Sequence, residues 1–66
     1  MGKMNLSSAN LHRAILKGAS LLGADLTDAN LSEADLSGSV LIGACTERTS
    51  FVGAQMIDTR FGRFAD

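Results

Sequence analysis

Residues 24–36 read Ala24-Asp25-Leu26-Thr27-Asp28-Ala29-Asn30-Leu31-Ser32-Glu33-Ala34-Asp35-Leu36. The triplet Ala, Asp or Asn, Leu recurs in this stretch at a step of five. The step extends in both directions. Leu occupies 6, 11, 16, 21, 26, 31, 36 and 41, and the frame continues as Thr46, Phe51, Met56 and Phe61. Two residues before each stand Ala9, Ala14, Ala19, Ala24, Ala29 and Ala34, then Ser39, Ala44, Thr49, Ala54 and Thr59. Eight of nine leucines and eight of nine alanines share their frames, which rules out a mere composition bias. The residue between them is often polar, as at Asn5, Asn10, Ser20, Asp25, Asn30 and Asp35.

A period of five fits neither common element. On an α-helix, five residues advance about 500°, so successive leucines scatter around the cylinder. On a strand, five is odd, so successive leucines point to opposite faces. Leu points inward each time only if the backbone turns once per unit. Short bridges must therefore alternate with tight turns, as in a β-solenoid. Ala, two residues before Leu, also points inward and suits a narrow bore.

The units Ala9-Asn10-Leu11, Ala24-Asp25-Leu26, Ala29-Asn30-Leu31 and Ala34-Asp35-Leu36 resemble the pentapeptide-repeat family. The resemblance covers about residues 4–63. It implies an all-β fold, a right-handed quadrilateral β-helix of about three coils of twenty residues. The expected coils are 4–23, 24–43 and 44–63, with 1–3 as a lead-in and 64–66 as a C-terminal end. Spacings agree with a coil of twenty. Gly18 and Gly38, and Gly23 and Gly43, end units twenty apart, where turns of positive φ favour Gly. Arg13 and Glu33, and Asp28 and Arg48, set opposite charges at the same separation.

The inward columns on this register are Leu6–Leu26–Thr46, Leu11–Leu31–Phe51, Leu16–Leu36–Met56 and Leu21–Leu41–Phe61. Thr46 is expected to bury a hydroxyl bonded to nearby backbone. A stack has two ends that expose core and hydrogen-bonding groups. Three expectations stand for them: continuation of a longer solenoid, association with another copy, or sufficient polarity. The resemblance adds C-terminal dimerisation through apolar residues, which makes Phe61 and Phe64 candidates for an end contact. Outside the fourth face stand Leu22, Val40 and Ile42, which Ile57 could extend into an aliphatic interface.

Catalytic chemistry finds no footing in the sequence. One Cys and one His exclude an intrachain disulfide and a conventional zinc site. His12 and Cys45 fall at outward positions, and Asp25, Asp28, Glu33 and Asp35 read as a solvated acidic belt. No cofactor or metal is expected. No apolar run approaches a membrane span, and the N-terminus lacks a signal-peptide core. A net charge of −1 makes nucleic acid an unlikely partner. The lone thiol points to a cytoplasmic setting.

The expected function is a non-catalytic scaffold that contacts protein or a second copy of itself. The rival implied by the resemblance is DNA mimicry directed at gyrase. Near-neutral charge disfavours it, as does a reach of about 15 Å against about 34–36 Å for one turn of DNA.

Overall fold

A computed structural model describes residues 4–62. Phe64, with the terminal segments 1–3 and 63–66, lies outside the described residues. The backbone alternates single bridge residues with two-residue turns at a step of five. Parallel bridges join Asn5 to Asp25 and Asp25 to Cys45, Asn10 to Asn30 and Asn30 to Ser50. They likewise join Ile15 to Asp35 and Asp35 to Gln55, Ser20 to Val40 and Val40 to Arg60. Every bridge spans twenty residues, so four columns of bridges form the four sides, numbered here in that order. Each side is one residue wide at the bridge rather than a long strand.

A β-turn closes every unit. In the first, the Ala9 N–H donates to the Leu6 carbonyl at 3.0 Å, with Ser8 at φ +60°. A positive φ at the third residue is the type II arrangement. At the third corner the position is held by Gly18 and Gly38, at φ +69° and +71°, which glycine adopts without a steric penalty. At the first corner, and in the first two coils of the second, it is not. Asp28, Arg48, Arg13 and Glu33 take φ values of +56° to +65° there, a conformation costly for residues with a Cβ. These same four residues form two ion pairs across the coil. Arg13 Nε lies 2.9 Å from Glu33 Oε1 and Arg48 Nε 2.7 Å from Asp28 Oδ1. Four of the six non-glycine residues at positive φ among the described residues are thus tied by charge, Ser8 and Asp58 being the other two, although exposed pairs of this kind contribute only about 0–1 kcal/mol.

The core follows the inward columns. Leu21, Leu26, Leu31, Leu36 and Leu41 are buried with Ala24, Ala29 and Ala34. Leu6, Leu11 and Leu16 pack against them from one side, and Phe51 and Met56 from the other, each partly buried. Phe61 occupies the next position of the Leu21–Leu41 column and meets Phe51 edge-on at 6.1 Å, yet it is 49% exposed. It is a rim residue, because no described residue covers it. Burial therefore depends on having chain on both sides of a coil more than on residue type.

Three hydroxyl side chains replace Ala in the small-residue frame, and they differ. Thr49 Oγ1 donates to the Leu26 carbonyl at 2.6 Å and Thr59 Oγ1 to the Leu36 carbonyl at 2.7 Å. Each reaches back twenty-three residues. These two supply part-buried hydroxyl-to-backbone bonds in the last units, and among the described residues Thr46 makes none. Ser39 is fully buried and its Oγ has no partner. Such a group carries an uncompensated desolvation cost. Ser39→Ala is therefore expected to stabilise the protein by about 1 kcal/mol, read as a higher urea midpoint. A loss of stability would show that the hydroxyl is bonded in solution.

Candidate interaction surface

The outward surface is built by the bridge residues and both residues of each turn. The bridge residues project from the sides, and the turn residues mark the corners. At the Asn and Asp bridge positions the side chain serves the backbone. Asn5 Oδ1 accepts from the Ser7 N–H at 3.1 Å, Asp25 Oδ1 from the Thr27 N–H at 3.1 Å, and Asn30 Oδ1 from the Ser32 N–H at 3.0 Å. Asn10 and Asp35 do the same for His12 and Ser37. That N–H has no backbone acceptor among the described residues, so the polar side chain completes the turn. The acidic belt is thus largely structural.

The belt's charge state follows from these bonds. The hydroxyl and then the N–H of Thr27 hold the Asp25 carboxyl below the ordinary range, and those of Ser37 do so for Asp35. Hydrogen bonding to Arg48 lowers Asp28, and hydrogen bonding to Arg13, reinforced by its charge, lowers Glu33. All four are depressed in the fold, so each stabilises it above the unfolded carboxylate range and ceases to as protons bind.

The fourth side carries the aliphatic residues. Val40 bridges Ser20 and Arg60 at its centre and is half-buried. Leu22 and Ile42 share the following corner in stacked coils, where the Gly23 N–H donates to the Ile42 carbonyl at 2.9 Å. Leu22 is 51% exposed and Ile42 half-buried. Ile57 stands at the preceding corner, above Ser37, and is 68% exposed. The four residues named from sequence therefore border one side, with Ile57 shared between the third and fourth. Val52, 74% exposed at the corner before the third side, went unremarked in the sequence. Its frame position after Phe51 is the signal that could have marked it. Ile15, on the third side, is also exposed.

His12 and Cys45 both sit on the outside. His12 Nδ1 lies 3.0 Å from the Ser32 carbonyl oxygen and 2.7 Å from Ser32 Oγ. The carbonyl can only accept, so a hydrogen bond to it takes its proton from Nδ1. The Ser32 hydroxyl instead donates to Asn30 Oδ1 at 2.6 Å. Cys45 Sγ lies 3.3 Å from Thr27 Oγ1. Among the described residues no His, Cys, Asp and Glu side chains gather as a metal site, and no helix is long and apolar enough to cross a membrane.

The family of pentapeptide repeats matches residues 5–43 with eight copies. The chain belongs to the pentapeptide-repeat family. Its members are right-handed quadrilateral β-helices, generally non-enzymatic. Rfr23, a pentapeptide repeat protein from the cyanobacterium Cyanothece 51142, aligns at 37% identity with a TM-score of 0.80. The alignment covers 89% of this chain and 44% of Rfr23, so the chain spans less than half the length of that relative. A second such protein, alr5209 from Nostoc Pcc 7120, aligns at 25% identity and a TM-score of 0.51, covering 98% of this chain and 75% of that one. A search of the curated proteins found no match.

The carboxylates yield a pH dependence with a definite sign. Stability is expected to be constant near neutrality and to fall as pH drops below about 4. The joint replacement Asp25→Asn, Asp28→Asn, Glu33→Gln and Asp35→Asn flattens that fall. Urea midpoints measured across acid pH check it, and an equally steep fall in the variant contradicts the assignment.

Proposed function

We propose that this pentapeptide-repeat chain is a non-catalytic display scaffold. Residues 4–63 form three coils, 4–23, 24–43 and 44–63, and the fourth side pairs with a protein surface, in the simplest case that of a second copy. The observation that carries the reading is the aliphatic strip of Leu22, Val40, Ile42 and Ile57 on a backbone fastened at every unit. Stacked bridges hold outward residues at steps of about 4.8 Å, so the strip is offered pre-organised and little ordering entropy is lost on contact. Arg60 and Ser20 give it a polar border. Side-by-side pairing of two such strips would be self-complementary and would stop at two chains. The exposed thiol of Cys45 suits a reducing compartment such as the cytoplasm. A net charge of −1 leaves the DNA-mimic reading without the acidic surface it needs.

Light scattering tests the proposal. At high micromolar concentration the protein is expected to include a species of twice the 6.9 kDa chain mass. Leu22→Asp with Ile42→Asp is expected to remove that species while leaving the circular dichroism spectrum unchanged. A pairing that survives both substitutions places the contact elsewhere.

A further inference from the structure

We propose that the fourth side pairs with the fourth side of a second copy in the antiparallel sense, with Lys17 of each chain bonded to Asp58 of the other. The inference rests on the reading of that side as an interface and adds its orientation and its charged contacts.

Three rows of outward residues cross the fourth side, from the third corner to the fourth. The first row reads Lys17, Ser20 and Leu22, and the second Ser37, Val40 and Ile42. The third reads Ile57 with Asp58, then Arg60, then Gly62. Hydrogen bonds at the corners fix this register. The Gly18 N–H donates to the Ser37 carbonyl at 2.9 Å, and the Gly38 N–H to the Ile57 carbonyl at 2.8 Å. The Gly43 N–H donates to the Gly62 carbonyl at 2.8 Å. Charge is confined to the outer rows, at Lys17, Asp58 and Arg60, all exposed. The ion pairs among the described residues join Arg13 to Glu33 and Arg48 to Asp28, so neither Lys17 nor Asp58 takes part in one.

When one surface pairs with its own copy face to face, the two-fold axis lies in the plane of contact. Two settings keep the coils aligned. With the axis along the coil, each row meets its own row and the corners exchange. Val40 then meets Val40, but Ile42 meets Ser37, Leu22 meets Lys17, and Arg60 meets Arg60. With the axis across the side at the level of Val40, the first row meets the third and each corner meets itself. Val40 meets Val40 and Ile42 meets Ile42. Leu22 falls over Gly62, where no side chain stands in its way. Arg60 meets Ser20 in place of another cation. Lys17 falls over Ile57 and Asp58, so its stem covers the isoleucine while its ammonium reaches the carboxylate. Symmetry repeats that contact at the other end of the strip.

The level of the axis is fixed by the same residues. Moved half a coil toward the third row, it sets Val40 against Arg60 and Ile57 against Ser37. Moved half a coil toward the first row, it sets Val40 against Ser20 and Lys17 against Ser37. The antiparallel setting at Val40 therefore satisfies the aliphatic and the charged contacts together. Charges at the border of a contact act mainly by selecting one arrangement over others. Here they select against the parallel pair, in which Arg60 opposes itself at the centre of a row.

Light scattering of Lys17→Asp and Asp58→Lys, each alone and then mixed, tests the proposal. Either variant by itself sets like charges at both contacts, and its pairing is expected to weaken by about tenfold or more. The equimolar mixture sets opposite charges at both contacts and is expected to pair as the wild type does, one chain of each kind. A second readout leaves the charges in place. In a Cys45→Ser background, Ile42→Cys is expected to form a disulfide between two copies under mild oxidation. A mixture of Ser37→Cys and Ile42→Cys chains is expected to form no disulfide between the two kinds, which is the product of the parallel pair. Undiminished pairing of either charge variant alone, a mixture that stays as single chains, or a disulfide between the two kinds overturns the proposal. If wild-type pairing is then still abolished by Leu22→Asp with Ile42→Asp, the interface stands and its orientation alone has failed. A wild type that stays a single chain at high micromolar concentration overturns both.

Discussion

The structure depends on one constraint: the backbone must turn after every third extended residue and return to the same side after twenty. The hydrogen bonds between coils can form only if that return is in register, and the inward position of Leu follows from it. A β-turn with positive φ at its third residue achieves the reversal, and the polar bridge side chains complete it. Where glycine is absent from the turn, as at Asp28, Glu33, Arg13 and Arg48, conformational cost is carried by the coil. The ion pairs at those corners join stacked coils at the strained positions themselves. Display of outward residues is then a consequence of the ladder.

Much of this was legible because the repeat assigns each residue a geometric role. The Leu and Ala frames mark the inside, and the charge pairs at a separation of twenty mark the register. Outward placement of Leu22, His12 and Cys45 followed from frame alone. What was not legible depends on neighbours above and below. Leu6 and Leu26 share a frame, yet only Leu26 is fully buried, because residue type says nothing about whether a coil lies on both sides. The same holds for Phe61, an inward-frame residue left at the rim. Val52 shares the frame of Leu22, Ile42 and Ile57 but stands at the corner before the third side, away from the strip. Thr46, Thr49 and Thr59 are one residue type in two frames. Which of them reaches a carbonyl depends on side-chain direction relative to the preceding coil, which composition does not encode.

The register of twenty is the central claim, and solution NMR of dilute protein tests it most directly. The account predicts close backbone contacts linking Asn10, Asn30 and Ser50, and linking Ser20, Val40 and Arg60, with no contacts of the helical kind three residues apart. A spectrum lacking the long-range contacts, or showing a continuous helical series through residues 24–36, would contradict it.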